Sequence, residues 1–568
     1  MTNIRNALMQ AAGTAASGST YVEDVFSTHL YTGNNTAGNA INNGLDLSGE
    51  GGMVWIKARN ATDNACIFDT ERGVTKFISS GNNNAESTDA NSLTSFNNNG
   101  FTLGTGWTIA SVNYTYNYAS WAFRKQEGFF DVVKFSTTGG GGTQTVSHNL
   151  GSIPGVIILK RRTSGGDQNW YVFHKSVTSP SSDWWINYGM LNSTASFANW
   201  GSTTGITSAP TSSAITLSTY YTNTTADYVA YFFAEGGSDD QIFGDDGDEA
   251  IIKTGSFSHT SGTPTFVNCG FEAAWVIAKR YDSTDSWWMA DNMRGFTPNG
   301  IGIYTPYLAA NLGAAEGTSD WIGPNAQGFD FNYLTGDYVY IAIRRGPMKE
   351  PSAGTDVFKA ISRTGGGGSA SITGVGFSPD LYLSKATNQG SYNPVLYNRL
   401  RGKRYLLTSS NDAQAGSDGG LDSYDMDGVS VSGSSAYGLD GSGDSIINYF
   451  LKRYPKVFDV VVYSGTGSNL DVTHNLNAVP EIQIIKRLDS SSDADWVVYH
   501  KDVPFSGSFN GEYLFLADGT AGVFGSTTIF RATPTASVFK VGTNNVVNNS
   551  SGSYLWLGFA SLSGISHV

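Results

Sequence analysis

Five times along the chain an apolar, strand-like run ends on a lysine. The runs are Val54-Trp55-Ile56-Lys57, Val156-Ile157-Ile158-Leu159-Lys160, Ala274-Trp275-Val276-Ile277-Ala278-Lys279, Leu381-Tyr382-Leu383-Ser384-Lys385 and Ile482-Gln483-Ile484-Ile485-Lys486. Successive lysines lie 103, 119, 106 and 101 residues apart. A period near 100 residues is that of a small β-sandwich domain, and it is too long for a propeller blade or a solenoid repeat.

The flanking elements recur in the same order. A module opens on a strand such as Phe130-Asp131-Val132-Val133 or Phe458-Asp459-Val460-Val461-Val462-Tyr463, followed by a glycine-rich turn at 139–142, 365–368 or 465–467. It closes on a long aromatic strand: 118–123, 228–233, 338–343, 446–450 and 554–559. Such runs are bounded by Gly, Asn and Ser clusters and are too short for helices. The pattern predicts an all-β chain of five tandem β-sandwich, jelly-roll-like modules of about 100–120 residues after a short N-terminal tail. The expected spans are residues 1–20 for the tail, then 21–128, 129–238, 239–350, 351–455 and 456–568. The closing strands are apolar on both alternating faces. One face fills a sandwich core, and the other must meet a neighbouring module or another chain.

Composition agrees. Charged residues are 14% and aromatics 13% of the chain, the reverse of the balance in disordered proteins. The net charge of −14 and the absence of a basic stripe argue against a nucleic-acid partner. Two cysteines, Cys66 and Cys269, exclude a disulfide framework and a cysteine-based zinc site. No apolar run reaches the length of a membrane helix, so no membrane insertion is expected.

The sequence from Val54 to Lys57, continued by Phe68-Asp69-Thr70-Glu71-Arg72-Gly73-Val74-Thr75-Lys76-Phe77-Ile78-Ser79-Ser80, resembles a repeat common in tailed bacteriophages, especially marine ones. So does the stretch from Asp89-Ala90-Asn91-Ser92-Leu93 to Gly100-Phe101-Thr102-Leu103-Gly104. Modules two and five share a variant, His148-Asn149-Leu150 to Pro154 and His474-Asn475-Leu476 to Pro480. The first residues, Asn3 to Gly13, are similar to the starts of tail-fibre-like proteins. The resemblance covers nearly the whole chain, most closely in modules one, two and five. It implies a virion structural protein, assembled in the host cytoplasm, and brings no catalytic residues to transfer.

The candidate sites are few. No nucleophile elbow is present, and the many acids make carboxylate pairs uninformative for glycosidase chemistry. His148 and His474 hold matching turn positions, and His174 and His500 matching strand positions; backbone-bonding roles are preferred for all four. The acidic stretches 245–249 and 418–427 (with Asp422, Asp425 and Asp427) are the calcium candidates. Neither has the EF-hand spacing, so solvated turns are preferred and no cofactor is expected. Trp184-Trp185 and Trp287-Trp288 should each turn one indole outward if they lie on strands, to stack on a glycan or enter a subunit interface. Ile4, Leu8 and Met9 are the candidate anchor residues of the tail.

The expected role is a non-enzymatic tail-fibre or tail-tip protein that attaches the particle to a host-surface glycan or protein. It would work as a homo-oligomer, a trimer by analogy with fibres, in contact with other virion proteins. The alternatives are a head, collar or tail-nozzle protein that touches only other virion proteins, a glycan depolymerase, and a secreted cellular adhesin.

Overall fold

The computed structural model describes residues 19–105, 110–201, 204–237, 242–297, 304–416, 420–432, 437–503, 512–515 and 524–568. The chain is all-β. The α-helices among the described residues are single turns of four residues, such as Val22–Val25 and Asn545–Asn548. The β-branched and aromatic runs form the strands, and the Gly-Asn-Ser clusters between them form the turns.

Each module is a sandwich of unequal layers. In the first, the larger sheet has the order Phe26–Thr32, Asn117–Arg124, Gly52–Ala58, Cys66–Asp69, Lys76–Ser79, Ser87–Thr88. The opening and closing strands therefore pair with each other, antiparallel, and the lysine strand lies against the other edge of the closing strand. The same order recurs in the other four modules, with five strands in the fourth and six elsewhere. The smaller layer has three strands in modules one and four and two in modules two and five. Its hairpin turns need glycine where the backbone crowds a neighbouring strand. Gly100 has φ +124°, and a Cβ there would come 2.0 Å from the Ile41 carbonyl. Gly428 matches it in module four, with φ +123° and 2.0 Å to the Ile372 carbonyl. An L side chain fits neither place.

Between the two layers of a module lies its own core. In module one it includes Val54, Ile56, Cys66, Phe68, Phe101 and Tyr118. In module four Tyr382 stacks on Phe450 at 5.0 Å, and in module five Phe539 stacks on Trp556 at 4.7 Å.

The chain divides into two compact units. Unit 1 comprises residues 1–291, 306–318 and 332–346; unit 2 comprises 292–305, 319–331 and 347–568. Unit 1 thus holds modules one and two with most of module three. Unit 2 holds modules four and five, with a hairpin of Ile322–Asn325 and Gly328–Phe331.

In both units the larger sheets turn their outer faces to one another. In unit 1, Trp55, Ile158 and Ile277 hold matching positions on the three lysine strands, two residues before each lysine. They are 2%, 7% and 4% exposed and line a common, almost wholly apolar cavity of about 20 Å³. In unit 2, Leu381, Leu396 and Leu406 of module four pack in one cluster with Phe458, Trp496 and Leu555 of module five.

Candidate functional site

The feature repeated most faithfully is the joint between modules, and the strand lysine is at its centre. Lys57, Lys160, Lys279 and Lys486 are fully buried. A buried ammonium must spend its three N–H donors on acceptors. Lys57 Nζ donates to the carbonyls of Asp63, in its own module, and Leu312, in module three, both at 2.8 Å. Lys160 reaches the Asn83 carbonyl of module one at 3.4 Å. Lys279 reaches Thr194 of module two at 3.2 Å, and Lys486 reaches Asn411 of module four at 3.2 Å. Burial lowers the ammonium pKa to about 7 in Lys160 and about 8 in Lys279 and Lys486.

Two further bonds accompany Lys160, Lys279 and Lys486. Two residues beyond each, a backbone carbonyl accepts an N–H from the preceding module's loop. The pairs are Glu86 to Arg162 at 2.9 Å, Phe197 to Tyr281 at 2.9 Å and Gln414 to Leu488 at 2.9 Å. The strand after the lysine also brings in a tryptophan whose Nε1–H donates to that loop: Trp170 to the Ser79 carbonyl at 2.9 Å, Trp287 to Met190 at 2.9 Å, Trp496 to Ser410 at 3.0 Å.

In unit 1 these joints form a closed cycle. Module two docks on one, three on two, and one on three, where the Glu316 N–H donates to the Arg59 carbonyl at 2.7 Å and the Arg59 guanidinium pairs with the Glu316 carboxylate at 2.9 Å. At this closing joint Ala65 takes the place of the tryptophan, and Ser80 Oγ donates to the Ala310 carbonyl at 2.7 Å. Buried polar contacts lock the cycle. The Tyr231 hydroxyl donates to Asp69 at 2.8 Å, where Arg72 also pairs at 2.5 Å; Trp121 Nε1 donates to Asp291 at 3.0 Å; and His174 Nε2 meets the Tyr340 carbonyl at 3.1 Å.

The tryptophan pairs are placed differently from each other. Trp184 and Trp185 lie in the 3-10 turn Trp184–Ile186, which corrects the strand geometry inferred for them. The preceding Ser-Ser-Asp run favours a turn, and the Asp183 carbonyl accepts the Ile186 N–H at 3.1 Å. Trp184 is buried and Trp185 half-buried, edge-on to each other at 6.3 Å. Trp287 and Trp288 do lie on a strand, Trp287–Asp291. Trp287 is buried in the joint; half-buried Trp288 donates to Asp285 at 2.9 Å and packs edge-on to Tyr307 at 4.8 Å.

The histidines bond backbone. Nδ1 of His148 accepts the Leu150 N–H at 3.3 Å, and Nδ1 of His474 the Leu476 N–H at 3.2 Å. His174 and His500 accept the N–H groups of Ser176 and Asp502 at 3.2 and 3.1 Å. In the acidic stretches, Asp425 accepts the Ser423 and Ser430 hydroxyls at 2.6 Å each, and Asp427 accepts the Gly374 and Gly376 N–H groups at 2.9 and 2.6 Å. Asp245 accepts the Tyr21 hydroxyl, and Glu249 pairs with Arg344 at 2.5 Å beside an open groove of about 420 Å³. Among the described residues no group of three His, Cys, Asp or Glu side chains is placed to hold a metal, and no helix is long and apolar enough to cross a membrane. Asp418 and the anchor candidates Ile4, Leu8 and Met9 lie outside the described residues.

Two signals of the joints stand in the sequence. One is a charged residue kept at the end of every apolar run; the other is the Trp170/Trp496 correspondence between modules two and five. No curated protein matches the chain. A family model described as a domain of unknown function, DUF7483, matches residues 21–333 and 353–568. With nearly its whole length matched, the chain belongs to the DUF7483 family.

Proposed function

We propose that the chain is a non-enzymatic structural component of a bacteriophage virion, acting as a tail-fibre or tail-tip protein in attachment to the host surface. The observation that supports this reading best is the repeated joint. The same lysine, carbonyl and, in most copies, tryptophan contacts fix modules one, two and three to one another and module five to module four, as a part that must hold its shape under force requires. The resemblance of the repeats to those of tailed phages supplies the setting. The four histidines, Asp425, Asp427 and Trp287, which stood as ligand candidates, are engaged in holding turns and joints, which suits a scaffold. Several copies on one particle would raise avidity for a host glycan or protein without new contacts.

Gold-labelled antibody on intact particles tests the assignment. Label at the tail extremity, with purified chain competing for adsorption of the phage to its host, is the expected result. Label on the head or collar with no competition would leave a structural protein without an attachment role, and release of reducing ends from host polysaccharide would overturn the non-enzymatic reading.

A further inference from the structure

Unit 1 shows what a completed set of modules looks like: three modules, three joints, every outer sheet face covered. Among the described residues, unit 2 repeats one of those joints, module five on module four. We infer that the uncovered outer face of modules four and five is the contact through which copies of this chain assemble, module four of one copy docking on module five of the next. The inference holds whether or not the chain is a virion protein.

Three independent observations converge on module four. Lys385 is half-buried, where the other four strand lysines are fully buried. Its Nζ donates to Gln389 and Tyr392, carbonyls of its own module. Two residues on, Thr387 is exposed, and among the described residues no N–H donates to its carbonyl; the matching carbonyls of Arg59, Arg162, Tyr281 and Leu488 each accept one from another module. Pro394 stands where modules two, three and five place the joint tryptophan, since its carbonyl accepts the Thr408 N–H as that of Trp170 accepts the Leu191 N–H. Module one, with Ala65 there, is the other module lacking that tryptophan, and in unit 1 it is the one that docks on the last module of the cycle.

The apolar surface tells the same story. Leu383 and Ile484 match Trp55, Ile158 and Ile277, yet both are half-buried. Tyr449, paired with Leu383 across the sheet, is half-buried, whereas its counterparts Trp121, Tyr231 and Ile341 are 0%, 1% and 6% exposed. Phe358 is 45% exposed and stacks on Tyr449 at 6.2 Å; its counterpart Phe26 is 7% exposed. This stripe continues the cluster that already joins modules four and five. An apolar face continuous with a built interface is one that a further module covers. Modules one to three have spent their joints on each other, and module four has spent its outgoing loop on module five through Ser410, Asn411 and Gln414. That leaves module four to dock on the module five of another copy. Repeating this step joins copies head to tail, in a ring where the rotation closes.

The test is the mass of the full-length chain by light scattering and sedimentation at micromolar concentration. The expected result is a dimer or trimer, with Phe358→Lys and Leu383→Asp each weakening assembly by about tenfold or more. Phe358→Lys changes an already exposed side chain, so its unfolding temperature should stay at the wild-type value. A photo-crosslinking residue at position 449, in mixtures of isotopically labelled and unlabelled chain, should join residues 456–568 of a different copy. A monomeric wild-type chain, an oligomer indifferent to both substitutions, or crosslinks confined to one chain would each overturn the inference.

Discussion

Truncating one joint tryptophan should loosen one unit and spare the other. Trp170 is fully buried, donates to the Ser79 carbonyl at 2.9 Å, has the Lys160 ammonium 5.7 Å from its ring centre and stacks on Tyr231 at 6.3 Å. Trp170→Ala removes that apolar surface, opens a cavity and strands the Ser79 carbonyl. Buried aromatic truncations of this kind cost about 3–5 kcal/mol. Unfolding entropy is about 2 cal/mol/K per residue, so a unit of roughly three hundred residues has about 0.6 kcal/mol/K. The expected fall in its melting temperature is therefore about 5–8 °C. Trp170→Phe keeps most of the ring contact but loses the donor, and should cost about 1–3 kcal/mol. Trp496→Ala, at the matching joint of unit 2, should move a different transition. Differential scanning calorimetry of the full chain reads all three. If Trp170→Ala and Trp496→Ala shift the same transition equally, or if Trp170→Ala shifts nothing, the joints do not organise the molecule as argued.

Other groups make separate predictions. Burial pushes the Cys66 thiol up and the Cys269 thiol up to about 12, so neither should react with a disulfide reagent in the native chain at pH 8, while both should titrate once unfolded. Stoichiometric labelling of the native chain would refute that. Burial lowers the His174 and His29 pKa values from 6.5 to about 4. The unfolded chain then binds more protons than the folded one between about pH 4 and 6.5, so their contribution to stability is complete above that window and is lost as pH falls through it. The melting temperature of wild type should drop over this range more steeply than that of His174→Gln; equal slopes would refute the assignment. Lys57→Met should strand the Asp63 and Leu312 carbonyls and destabilise unit 1 by about 2–5 kcal/mol, read as a lower denaturant midpoint with unchanged slope.

The modules were legible because each carries its own complete set of signals. A strand that alternates Val54 and Ile56 inward with Trp55 and Lys57 outward announces itself, as do the glycine turns. The joints were less legible, since they link residues far apart in sequence: Lys57 meets Leu312, and Trp121 meets Asp291. The lysine stood in plain view as a marker of register. Its role depended on a carbonyl in another module, which no local pattern reveals. The grouping of modules into three and two was hidden for the same reason, although Ala65 and Pro394, in place of tryptophan, mark the first module of each group. Trp184-Trp185 failed as a strand because a local turn after Ser181-Ser182-Asp183 outweighed the β propensity of the indoles.

The central claim is that this chain is a structural part of a phage particle, built from interlocked sandwich modules. Electron cryo-microscopy of the purified particle tests it most directly. The account predicts density at the tail extremity into which the three-module cycle of unit 1 fits as one body, with Trp170 and Trp287 seated in their joints. Particles in which the chain is absent, or in which its modules stand apart as separate beads, would contradict it.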